Sequence, residues 1–183
     1  MMLDIPLTSR QDAGDFSTTS LGGLFRRSVA ISSSHKPKGV RMQQVSDMVK
    51  AFFEDYEKSS NTPPPELIAS QYGNSFMFAG PQGVQAVRKE DFLKALPKRD
   101  GFFKAVGLTS SRIQSLEETR LDDNYILVKA YWKMQFENGP ERPAVAEIAA
   151  TYLLYQQGAL LQIVLQLDHQ DLTKKVQEFG AVR

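Results

Sequence analysis

Glu147 is the carboxylate in this sequence best placed for acid–base chemistry. It stands inside "AVAEIAATY", an otherwise apolar stretch. An apolar wall raises a carboxyl pKa, so the group can give or take a proton near neutral pH. The competing reading is a solvent-facing or paired glutamate, sharing its strand face with Val145, Ala149 and Thr151. Tyr56, Trp132 and Tyr152 fall on the apolar faces of their segments, and each carries a polar handle that needs a partner when buried. Together with Phe78 they either pack as core or line a pocket that orients a small apolar or aromatic ligand.

Other chemistries are excluded early. The chain has no cysteine, which removes disulfides, thiol catalysis and zinc–thiolate sites. Its two histidines, His35 and His169, are too far apart in sequence to suggest a histidine-rich metal centre. There is no glycine-rich phosphate loop, no nucleophile elbow and no metal-ligand spacing. No metal and no cofactor are expected. A net charge of +1 offers no electrostatic footprint for nucleic acid, and "KPKGVR" at 36–41 and Arg88-Lys89 are thin basic clusters. No apolar run reaches the roughly 18 residues of a membrane span. The first residues lack the apolar core of a secretory signal. A cytoplasmic protein is expected. Import into an organelle stays open, because residues 17–34 are rich in Ser and Thr and carry Arg26-Arg27, while Asp4, Asp12 and Asp15 weigh against it.

Periodicity gives the elements that must position these residues. Residues 1–41 read as an extension and 42–183 as the body. The extension is flexible, or it docks through Leu24, Phe25, Val29 and Ile31. Val45, Met48, Val49, Phe52, Phe53 and Tyr56 repeat at helical spacing. Pro63-Pro64-Pro65 stop that helix, and Pro65 can open a second in "PELIASQY". In "NSFMFAGPQGVQAVRKEDFLKAL", Phe76 and Phe78 alternate as in a half-buried strand, Gly80 to Gly83 turn, and Val84 and Val87 return. Phe92, Leu93 and Leu96 then suit a helix that Pro97 ends or kinks. Long strands follow from residue 108. In "YILVKAYWKMQFE", Ile126 to Phe136 alternate onto one face with Trp132 among them. Parity sets Trp132, Ile148, Tyr152, Ile163 and Leu165 on one buried face. Leu172, Val176 and Phe179 suit a closing helix.

This order resembles the nuclear transport factor 2-like, or SnoaL-like, superfamily with its cystatin-like cone fold. The resemblance covers residues 42–170. It is carried by "SFMFAGPQGVQAVRKEDFLKAL", which looks like the family's hairpin running into a helix, and by "NYILVKAYWKMQF", similar to its long central strand. It implies an α+β fold, a cone-shaped α+β barrel with three N-terminal helices packed on a strongly curved, mostly antiparallel sheet. The activities it implies are isomerase, dehydratase, polyketide cyclase, epoxide hydrolase or plain binding, and fold does not choose among them. The ketosteroid-isomerase pattern needs an acid on the first hairpin strand, and "GNSFMFA" at 73–79 has none. The scytalone-dehydratase pattern leans on paired histidines, and the body has none before His169.

Two functional expectations result. One is a small-molecule-binding domain, as a plain binder or as an acid–base isomerase, cyclase or hydrolase. The alternative is a non-catalytic interaction or scaffold module that dimerises through its sheet. The second faces of the long strands carry Tyr125, Leu127, Tyr131, Leu153, Tyr155, Leu160 and Val164, interleaved with Lys129, Lys133, Thr151, Gln162 and Gln166. Such a mixed, tyrosine-rich face suits an interface, and a two-fold homodimer is expected.

Overall fold

Ser46 opens the first helix, its Oγ accepting from the Val49 N–H at 3.4 Å, the role of an N-cap residue. The computed structural model describes residues 44–61, 65–137 and 144–178. The extension at 1–41, with its apolar patch, lies outside the described residues, as does Phe179. Helix α1 (Asp47–Asn61) buries Val49, Phe53 and Tyr56. Met48 is exposed rather than part of the stripe. The chain enters the helix only at Asp47, and Val45 ahead of it packs on the core instead.

Helix α2 (Pro65–Ser70) is shorter than its sequence suggested. Gln71 leaves the helix because its carbonyl accepts from the Ile163 N–H at 2.8 Å. Tyr72 therefore begins strand β1 (Tyr72–Gly80) rather than ending a helix. Strand β2 (Gly83–Arg88) completes the hairpin and runs directly into α3 (Lys89–Ala105). Pro97 does not end α3. It is exposed, where one missing helical hydrogen bond faces water, and the helix continues far enough to carry Arg99 and Phe103. At Gly107 the chain turns with φ +73, and a Cβ there would stand 2.8 Å from the Glu137 carbonyl oxygen. Only glycine suits that position.

Strands β3 (Leu108–Arg120), β4 (Tyr125–Phe136), β5 (Ala144–Gln157) and β6 (Leu160–Asp168) follow, then α4 (Leu172–Glu178). The six strands form one sheet in the order β2-β1-β6-β5-β4-β3. The β1–β6 pair is parallel and the others are antiparallel. The fold is thus mixed α and β. Strand β3 is an edge, and α1 satisfies part of it. Asn61 accepts from the Ser111 N–H and donates to the Ser111 carbonyl, both at 2.7 Å. Glu57 accepts from the Ile113 N–H at 2.7 Å. A covered edge of this kind resists pairing with a second chain.

The inner face of β4 alternates as its sequence predicts, with Ile126, Val128, Ala130, Trp132, Met134 and Phe136 all buried. The main core joins these to α1, β1 and α3. A smaller cluster of Val106, Met134, Phe136, Ala146 and Leu172 closes the other end.

Candidate ligand-binding site

The site begins with a break in strand parity. On β6, Ile163 pairs with Leu154 while Leu165 pairs with Leu153, so one extra residue is inserted around Val164. A bulge of this kind swaps the two faces of a strand beyond it. Gln166 consequently lies opposite Tyr152, and Asp168 opposite Ala150, on the inner face. Leu165, expected beside Trp132 and Tyr152, turns outward. Gln166, expected outside, turns in. Trp132, Tyr152 and Ile163 keep their expected burial, and Ile148 packs half-buried against the same core.

Three tyrosines meet at this point, Tyr56 from α1, Tyr72 from β1 and Tyr152 from β5. All three are buried. The Tyr72 hydroxyl donates to Gln166 Oε1 at 2.7 Å. The Tyr56 and Tyr72 hydroxyl oxygens are 2.7 Å apart. Each phenol has one proton to give. Both short contacts hold a proton only if Tyr56 donates to Tyr72 while Tyr72 donates to Gln166. Tyr56 also lies 3.3 Å from Gln166 Oε1. The Gln166 amide nitrogen donates to Asp168 Oδ1 at 2.8 Å. The reversed amide would set oxygen against carboxylate, so Asp168 fixes the orientation of Gln166. Tyr152 and Trp132, the second with an indole N–H that can only donate, stand beside Tyr56. The protons therefore run in one direction, from Tyr56 through Tyr72 and Gln166 to Asp168.

Rings surround this network. Tyr56 meets Trp132 and Tyr152 edge-on, with centroids 5.9 and 5.5 Å apart. Tyr72 lies against Phe92 of α3 at 4.9 Å. Between them remains a cavity of about 100 Å³ whose lining includes Tyr56, Tyr72, Phe78, Trp132, Tyr152 and Gln166. It is smaller than the roughly 300–1,000 Å³ of sites for drug-sized ligands. Phe53 and Phe76 fill part of the interior as core, and Phe102 joins the second cluster. Arg99 and Asp168 bring one cation and one carboxylate to the lining.

Burial raises the pKa of all three phenols above the ordinary value of 10.0, well above it for Tyr72 and Tyr152. They are neutral hydrogen-bonding groups at physiological pH, not bases. A raised folded-state pKa stabilises the fold below the unfolded tyrosine value. That contribution is lost as pH climbs through the folded values. Stability should therefore decline above about pH 10. In an alkaline titration, phenolate absorbance from these three tyrosines should emerge together with unfolding. Their ionisation in a chain that keeps its native circular dichroism would contradict the burial described.

The structure brings Tyr56, Phe78, Trp132 and Tyr152 to one cavity. Glu147 is not among its lining residues. It is exposed on β5, on the face away from the tyrosines and across from Lys133, because the strand alternates and Ile148 takes the inward position. The carboxylate that does reach the cavity, Asp168, was missed, along with Gln166, Tyr72 and Arg99. The bulge that turns Gln166 and Asp168 inward has no glycine or proline to mark it. Tyr72 was hidden in an apparent helix end, and Arg99 lies beyond a proline read as a helix stop or kink.

No protein-family model matches the chain, and no curated protein matches it by sequence. Solved structures do match. Aln2 from Streptomyces superposes with a TM-score of 0.57 at 13% identity, over 72% of this chain and 93% of that one. A nuclear transport factor 2-like protein of unknown function from Shewanella oneidensis gives 0.54 at 12% identity, over 68% and 98%. A ketosteroid isomerase-like protein from Erwinia carotovora gives 0.51 at 13% identity, over 67% and 92%. The fold is the nuclear transport factor 2-like, cystatin-like fold that the hairpin-into-helix stretch and the central strand resembled. Among the described residues, no helix is long and apolar enough to cross a membrane.

Proposed function

We propose that this chain is a small-molecule-binding domain whose ligand sits in the cavity among Tyr56, Tyr72, Phe78, Trp132 and Tyr152, in a cone-shaped arrangement of helices and sheet. The observation that carries this reading is the convergence of three neutral tyrosine hydroxyls and one oriented amide on a single aromatic-walled space. A polar network of this extent costs desolvation, and an apolar core would not need it. In an acid–base enzyme of isomerase, cyclase or hydrolase type, Asp168 takes the carboxylate role first given to Glu147, and the tyrosines act as neutral donors. Ligand binding to the folded state raises the melting temperature by mass action. A thermal-shift screen of small aromatic and aliphatic fragments should therefore yield stabilising compounds whose effect disappears in Tyr152→Ala. Stabilisation that survives in that variant would assign the binding elsewhere.

A second reading, assembly through the sheet, is favoured by the register of the outer face. Ala86, Met77, Leu165, Leu153 and Leu127 lie in one row across five strands. Met77 and Tyr125 are exposed, and the three leucines are half-buried. The bulge in β6 extends this row by turning Leu165 outward. The reading is a two-fold homodimer, outer face against outer face. The rival cover is the chain's own residues 21–31. Light scattering on the full chain and on a chain beginning at Arg41 separates them. A dimer in both is the expected result. A monomer that dimerises only after shortening favours the extension, and a monomer in both rejects either cover.

A further inference from the structure

We infer that the cavity selects a small apolar monocarboxylate, held through its carboxylate by Arg99. The inference rests on the small-molecule reading above and names the ligand class.

The one-way hydrogen-bond network is the first ground. The protons of Tyr56 and Tyr72 are committed to Tyr72 and Gln166, and the Gln166 amide nitrogen to Asp168. Ser60, another lining residue, donates to the Tyr56 carbonyl at 2.8 Å. Of the lining groups outside that network, the charged donor is the Arg99 guanidinium. It is the one cation among the described lining residues. Its ion pair is with its sequence neighbour Asp100, at 3.8 Å. That is long for a charge-assisted bond, and a fork of five N–H donors has more to give than one such contact takes. The side chain is 27% exposed, so the guanidinium has given up much of its water. It is also held in place, because its carbon stands 5.0 Å from the centre of the Phe103 ring. A half-desolvated, prepositioned and under-paired guanidinium suits a planar carboxylate, which it can grip with two parallel hydrogen bonds.

The remaining lining sets the rest of the ligand. Phe78, Phe92, Met134 and Ile148 form apolar walls. One guanidinium on the lining matches one carboxylate, so the favoured ligand is a monoanion. At roughly 10–15 Å³ for each water-sized group, a cavity of about 100 Å³ takes about seven to ten non-hydrogen atoms.

Benzoate and benzamide are matched probes, alike in shape and different in charge. Their affinities can be read by NMR titration of the full-length protein, following the indole N–H of Trp132. Wild type should bind benzoate about tenfold or more tighter than benzamide, the scale of a charged hydrogen bond. Arg99→Gln should remove that preference, and Arg99→Lys should retain part of it and guard against a folding loss. Equal affinities in wild type, or a preference that survives Arg99→Gln, would overturn the assignment of Arg99 while leaving the cavity as a binding site. No shift of the indole signal with either probe at millimolar concentration overturns both.

Discussion

Replacing Trp132 with alanine should destabilise the protein by about 3–5 kcal/mol, the range for an aromatic residue deleted from a core. Trp132 is 6% exposed. It packs edge-on against Tyr56 and sits between Ile113 and Ile148 in the sheet. Its loss removes ring contacts and enlarges a cavity that already exists. Its own strand β4 is paired on both sides, by β3 and β5, so the backbone cannot collapse into the space. Urea unfolding followed by circular dichroism measures the loss. A loss below about 1 kcal/mol would mean that Trp132 is not part of a packed interior.

Gln166→Leu should cost about 1–3 kcal/mol, although leucine is the more apolar residue. The change leaves the Tyr72 hydroxyl without its acceptor and deprives Asp168 of a donor. Tyr56 retains Tyr72 as a partner, so the damage concentrates on Tyr72. Tyr72→Phe alone should also destabilise, because it removes the Tyr56 acceptor and leaves Gln166 Oε1 only the longer 3.3 Å contact from Tyr56. Combined, the two changes should cost less than the sum of the single ones, since both sides of one buried hydrogen bond are removed together. Strict additivity in urea unfolding would show that the 2.7 Å contact does not hold the network together.

Much of the architecture could be read in the sequence because it follows from period. The alternation of Ile126 to Phe136 specified β4 and its inner face. The helical spacing of Val49, Phe53 and Tyr56 specified α1, and Gly80 to Gly83 marked the hairpin turn. These signals are local. The site was legible only in part, because its decisive features are not local. Tyr152 and Trp132 follow strict alternation, so parity found them. Gln166 and Asp168 depend on one extra residue in β6, and that irregularity arises where β6 pairs with β5 on one side and β1 on the other. A parity count along a single strand cannot register it. The same slip sent Leu165 to the wrong face and hid the only carboxylate among the described lining residues. Of the two readings of Glu147, the solvent-facing one agrees with its exposure across from Lys133, and alternation alone already set it on the face opposite Ile148. Tyr72 and Arg99 were lost at boundaries, where tertiary pairing ended α2 early and solvent exposure let α3 run past Pro97.

The claim that this cavity is a ligand site can be tested by intrinsic fluorescence, because Trp132 is the only tryptophan in the chain and lines the cavity. Compounds that raise the melting temperature should change the intensity or wavelength of Trp132 emission saturably, each at the concentration at which it stabilises, and should compete with one another. Compounds that stabilise the protein while Trp132 emission stays constant would contradict the claim and locate binding away from the tyrosine network.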